Sequence, residues 1–125
     1  MSKTTFGSFV RKLRLAKGLG LRSFAKVVEI LPSNLSNIEC GKANPPRAPE
    51  ILKRIASALG LSDKDQDYGK LFDLATKEGE ISADVQEYFE EIEAMEELPL
   101  MARTIKNEKL TKEQIRQLIR DIKGT

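Results

Sequence analysis

The sequence predicts an all-α protein: a compact five-helix domain followed by a helical extension. Three observations carry this. Apolar residues recur at i, i+3, i+4 and i+7 along most of the chain, the repeat of one helix face. Gly18, Gly20, Gly41, Gly60, Pro32 and Pro49 stand at the edges of those stripes, where helices start and stop. No segment alternates apolar and polar residues over the length of a strand.

Each element follows in order. Thr4 or Thr5 caps a first helix reaching about Lys17, with Phe6, Phe9, Val10, Leu13 and Ala16 on one face. Gly18 and Gly20 close it. A second helix, Leu21 to Val28, buries Phe24, Ala25 and Val28, and the small Ala25 lets another helix backbone come close. Glu29, Ile30 and Leu31 make a turn. Pro32 opens a third helix, where its missing N–H costs little, and that helix ends at Cys40 before Gly41. Asn44-Pro45-Pro46 marks a loop. Pro49 opens a fourth helix with Ile51, Leu52, Ile55, Ala58 and Leu59 apolar, and Ser62 caps a fifth from Asp63 to Ala75, striped by Tyr68, Leu71, Phe72 and Ala75.

Beyond residue 76 the composition changes. Glu78 to Glu97 holds nine carboxylates and no Lys or Arg, yet Val85, Tyr88, Phe89, Ile92 and Met95 keep a helical stripe. This predicts an amphipathic helix with an acidic outer face, broken by Pro99, and then a short helix over Leu100 to Ile105. Thr111 with Gln114 has the form of a capping box for a last helix to Lys123, striped by Ile115, Leu118, Ile119 and Ile122. Seven or eight helices result, with a division into residues 1–76 and 77–125.

Composition excludes several function classes. The chain has 125 residues, 40% hydrophobic and 32% charged, an ordinary balance for a globular protein. There is no His and a single Cys, Cys40, which rules out an intrachain disulfide, most zinc sites and the Cys–His and Ser–His nucleophile pairs. No Gly-rich phosphate loop is present. No catalytic residue, metal ligand or cofactor is expected, and an enzyme is not the reading. The first residues, MSKTTFGSFVRKLRL, carry charges inside their only apolar stretch, unlike a secretory signal, and no apolar run is long enough for a membrane span. A cytoplasmic protein is expected.

Charge is segregated. Residues 1–60 carry eleven Lys/Arg against three Asp/Glu, a balance of +8, while residues 61–125 carry ten against sixteen, a balance of −6. A basic half joined to an acidic half suits a polyanion-binding module with an appendage that does another job. Within the basic half, the third helix turns Leu35 and Ile38 inward and offers Ser33, Asn34, Ser36 and Asn37 outward. Short uncharged hydrogen-bonding side chains suit a helix that reads base edges in a major groove.

Residues 6–61 resemble the lambda repressor/Cro-like, or XRE, family of helix-turn-helix transcriptional regulators. The matching residues are Leu13, Phe24-Ala25, Val28, Ile30, Pro32-Ser33, Leu35-Ser36, Ile38-Glu39, Gly41-Lys42, Pro46, Ile51, Ile55, Ala56 and Ala58-Leu59-Gly60. The resemblance implies a five-helix domain whose third helix enters the major groove of double-stranded DNA. Pro32, Ser33, Asn34 and Asn37 would then face bases. Arg22, Ser23, Lys42 and Asn44 would sit near phosphates, with Lys12, Arg47 and Lys53 as further cations on the basic half. It also implies that Glu39 pairs with a basic side chain inside the domain. Cys40, at the end of the third helix, reads as an inert small hydrophobe.

Three residues depart from the family pattern. Leu21 stands where a Gln usually grips phosphate. Glu29 stands where Gly is usual, at a turn site that favours positive φ. Leu31 occupies the cap position of the third helix and offers no cap oxygen.

Two half-sites about 34 Å apart need a dimer. The expectation is therefore a repressor that binds operator DNA as a homodimer, with the second half supplying dimerisation or a protein-partner surface. The same stripes would equally serve to enlarge the first domain's core. The segment from Glu97 to Gln114 resembles tails of some regulators of this family from toxin–antitoxin-like operons, which implies the alternative of an antitoxin whose acidic half binds a toxin or metallopeptidase. A further reading is that the acidic helix imitates nucleic acid and shields the basic half.

Overall fold

The structure, a computed structural model, describes residues 4–77 and 80–124. Among them are eight helices and no strand: α1 (Phe6–Ala16), α2 (Leu21–Val28), α3 (Pro32–Glu39), α4 (Pro49–Ala58), α5 (Gln66–Leu74), α6 (Ala83–Glu91), α7 (Glu97–Asn107) and α8 (Lys112–Lys123). The chain divides into two compact units, Met1–Glu87 and Tyr88–Thr125.

Unit 1 holds a single core. Phe6, Phe9 and Val10 of α1 meet Phe24, Ala25 and Val28 of α2, Leu35 of α3, Leu52, Ile55 and Ala56 of α4, and Leu71 and Phe72 of α5. α3 packs on both α1 and α2, α4 packs on α2, and α5 closes against α1 and α4. Thr5 caps α1 in a full capping box with Ser8, satisfying N–H groups that the first turn leaves free. At Gly7, α1 comes close to the backbone of α3. A Cβ there would collide with the carbonyl oxygen of Ile38 and stand 2.9 Å from Cα of Glu39.

Several details of the helices differ from what the sequence pattern predicts. Ala16 is exposed and Leu13 only half-buried, while Arg14 is buried in the α1 face. α5 starts at Gln66, not Asp63, because Ser62 to Asp65 form a turn. The Ser62 N–H donates to the Asp65 carboxylate at 2.8 Å, and the Asp65 N–H to the Ser62 carbonyl at 2.9 Å. The acidic helix ends at Glu91 and not Glu97, because Glu93 adopts φ 56° and the Ala94 N–H closes back on the Phe89 carbonyl at 2.8 Å. Its expected first residue, Glu78, lies outside the described residues. Pro99 is therefore not the breaker. It sits in the first turn of α7, where a missing N–H is tolerated.

The shift in charge puts a boundary after residue 76, whereas the chain divides by contacts after Glu87. Residues 80–87 return to unit 1. Ser82 is buried, Ala83 packs on the core, and Glu80 and Glu87 reach the cations Arg47 and Lys53.

Unit 2 is a different kind of structure. α8 is capped at both ends, by the Thr111–Gln114 capping box and by Gly124 at φ 78°. No described side chain of unit 2 is buried, and the stripe expected from Ile115 to Ile122 lies open.

Candidate nucleic-acid interface

α3 owes its orientation to the residues it buries. Leu35 is 1% exposed and Glu39 8%, with Ile38 and Ser36 half-buried on the flanks. At about 100° per residue, Ser33, Asn34 and Asn37 share the opposite face, and all three are exposed. Pro32 is also exposed, at the first turn, but lies about 100° around the axis from Ser33.

Glu39 is the anchor. Arg14 Nε donates to Glu39 Oε2 at 2.8 Å and Nη2 donates to Oε1 at 2.9 Å. Arg14 Nη1 donates to the Leu19 carbonyl at 2.8 Å, tying the α1–α2 turn to the same node. The hydrogen bonds from the guanidinium to Glu39 raise the Arg14 pKa further above its ordinary value, against the cost of burial. The family resemblance implies a basic partner for Glu39 without naming it. Arg14 was missed because it is one of several cations on α1 with nothing local to single it out.

The turn before α3 keeps its shape despite the three unusual residues. Glu29 adopts φ 59°, ψ 42°, the left-handed conformation that Gly would take freely. The Ile30 N–H closes the α2 end on the Ala25 carbonyl at 3.0 Å. Arg54 covers the same end: Nε donates to the Val28 carbonyl at 3.2 Å, and Nη1 lies 3.4 Å from the Glu29 carboxylate. Leu21 is half-buried against the core and offers no hydrogen bond outward. Leu31 makes no side-chain cap, and Pro32 takes the first helical position instead.

Arg22 and Ser23 are exposed in the first turn of α2. Lys42 and Asn44 are exposed beyond the end of α3. The N–H groups of Lys42 and Ala43 both close on the Asn37 carbonyl, at 2.8 and 3.2 Å, so this loop is held against the helix that precedes it. Gly41 supplies the positive φ, 79°, that the reversal requires. Cys40 is exposed at the helix end, not tucked into the core as an inert hydrophobe would be. Of the further cations, Arg47 and Lys53 are engaged with Glu80 at 3.3 Å and Glu87 at 2.7 Å, and the latter hydrogen bond raises the Lys53 pKa. Among the described residues no group of three His, Cys, Asp or Glu is placed to hold a metal ion, and no helix is long and apolar enough to cross a membrane.

Two short helices joined by a tight turn, the second buried on one side and polar on the other, define a helix-turn-helix DNA-binding protein. The chain belongs to the helix-turn-helix domain family, whose model matches residues 5–68. Two crystal structures of the clp gene regulator ClgR from Corynebacterium glutamicum are similar to it. One is 28% identical at a TM-score of 0.43, covering 56% of this chain and 82% of that one. The other is 24% identical at a TM-score of 0.45, covering 80% and 85%. No curated protein matches the chain at a significant level.

Proposed function

We propose that the protein is a sequence-specific transcriptional repressor of the cytoplasm that binds operator DNA as a dimer. The observation that supports this best is the split of α3 into an anchored face, Leu35 and Glu39, and an exposed face of Ser33, Asn34 and Asn37. The exposed face reads base edges, with Pro32 at its leading end. The Asn37 carboxamide can form a paired hydrogen bond with adenine, worth about 1–3 kcal/mol of discrimination. Arg22 and Ser23 before the turn, and Lys42 and Asn44 after α3, grip phosphates and set the register. Repression follows from occlusion of promoter DNA. Residues 77–125 supply dimerisation or a partner surface.

The reading is tested by enriching bound fragments from random DNA and measuring Asn37→Ala on the enriched site and on random sequence. The expected loss is about 1–3 kcal/mol on the site and little on random DNA. An equal loss on both would remove Asn37 as a base reader.

A second reading is favoured by the pairs Arg47–Glu80 and Lys53–Glu87. Two carboxylates lie on two cations of the basic half, as phosphates would. The segment 80–87 then lowers the affinity for DNA in general and sharpens the share that depends on base contacts.

A further inference from the structure

Among the described residues, unit 2 carries an exposed apolar surface. Leu100 and Met101 of α7 are 57% and 54% exposed, and Leu118, Ile119 and Ile122 of α8 are 43%, 48% and 84% exposed. With Ile105 they line one open groove of about 730 Å³. The helices themselves are firmly specified, since α8 has a capping box at one end and a left-handed Gly124 at the other. The exposure is therefore not fraying. α7 and α8 stand apart, and each leaves its stripe to the gap. Soluble surfaces seldom leave such a patch uncovered.

Charge indicates what covers it. The charged side chains lining the groove are the carboxylates Glu97 and Glu108. A segment that fills it should be an amphipathic helix with an apolar stripe and basic flanks. α8 answers that description along one edge: Ile115, Leu118, Ile119 and Ile122 form its stripe, and Lys112, Arg116 and Lys123 run beside it on one side. α1 and α2 are also basic and amphipathic, but they bury their stripes in unit 1. The whole of unit 2 repeats the pattern. Residues 88–97 carry five carboxylates and no cation, and residues 98–124 carry seven Lys/Arg against three acids. An acidic groove lining and a basic edge of α8 on the same unit let two copies related by a two-fold axis satisfy each other.

From this we infer that the α7–α8 groove is the dimer interface, with α8 of a second copy lying in it and the exchange reciprocal. The inference rests on the proposed dimer and adds the surface that makes it. Apolar contact supplies the affinity, and the acidic rim against the basic flanks sets the register.

The test is sedimentation of the full chain with two charge-reversed variants at exposed positions. One carries Glu97→Lys and Glu108→Lys, the other Arg116→Glu and Lys123→Glu. The wild type is expected to be a dimer, and each variant alone to dissociate about ten-fold more readily. Their equimolar mixture should recover the wild-type affinity, because each groove then meets a helix of opposite charge. Ile122→Asp, at a position 84% exposed, should give a monomer with unchanged helix content. A dimeric wild type with unaffected variants, or a mixture that associates no more tightly than either variant alone, would overturn the groove and leave the dimer standing. A monomeric wild type at high micromolar concentration would overturn both.

Discussion

Arg14 and Glu39 join α1 to α3 through two parallel hydrogen bonds of 2.8 and 2.9 Å, with both side chains under a tenth exposed. The pair does more than hold two helices. Glu39 is one of the two residues that α3 buries, so a bidentate contact with a fixed guanidinium sets the rotation of the helix about its axis. Asn37, two residues earlier, faces solvent as a result. Breaking a buried pair on one side leaves a charge without its partner, which is costly, whereas replacing both with apolar groups of like size is mild. Glu39→Gln is expected to cost about 3 kcal/mol in urea unfolding. The double variant Arg14→Met/Glu39→Leu should recover most of that. If the double variant were as unstable as the sum of Arg14→Met and Glu39→Leu measured singly, the pair would not be acting as a unit.

Much of this was legible in the sequence, and the misses share a cause. The stripes of α1, α2, α4 and α5 name most of the unit 1 core, because each apolar face is buried against the others. A stripe reports that a helix is amphipathic, not what it packs against. Val85, Tyr88 and Ile92 form a stripe as regular as any, yet they are 37%, 56% and 50% exposed. Arg14 was invisible for the converse reason: its burial depends on a carboxylate 25 positions away, and no local signal encodes that. The face of α3 was readable because polar residues at its outer positions have no place in a core.

Glu29 pays a conformational cost that a Gly would avoid. Its φ of 59° lies in the region that costs an L-residue with a Cβ about 1 kcal/mol. The contact with Arg54, 3.4 Å between a half-buried guanidinium and an exposed carboxylate, returns little. Glu29→Gly is expected to stabilise the protein by about 0.5–1 kcal/mol in thermal or urea unfolding, with the turn unchanged. A loss of stability would show that the Glu29–Arg54 contact outweighs the strain.

Asp73 gives a pH dependence whose sign can be worked out. Partial burial raises its pKa above the ordinary carboxylate value, Asp84 adds repulsion in the same sense, and the neighbouring Ser82, whose hydroxyl donates to Asp84 at 2.8 Å, opposes both. A carboxyl whose folded pKa is raised favours the fold when protonated. Its contribution is present below the unfolded pKa and is lost as pH rises through the folded value. Asp73→Asn removes that loss and keeps the shape of the side chain. The variant should be more stable than wild type at pH 7, by less than about 1 kcal/mol given the exposure of the group, and the two should converge as pH falls below the ordinary carboxylate range. A constant difference across pH would assign the effect to packing.

Lys42 and the Glu80/Glu87 pair should move the salt dependence of DNA binding in opposite directions. Lys42 is exposed next to the Asn37 carbonyl, where it can meet a phosphate, and each phosphate contact releases about one counterion. Lys42→Ala is expected to weaken all DNA sequences alike and to flatten the slope of log affinity against log salt by about one unit. Glu80→Gln/Glu87→Gln leaves Arg47 and Lys53 without their carboxylates, so affinity for random DNA should rise and the slope should steepen by up to about two units. Fluorescence anisotropy over a salt series reads both. If the double variant left the slope unchanged while Lys42→Ala flattened it, Arg47 and Lys53 would not reach DNA and the shielding role of segment 80–87 would fall. If Lys42→Ala left it unchanged, the loop after α3 would lie off the backbone, and the phosphate grip would rest on Arg22 and its neighbours at the start of α2.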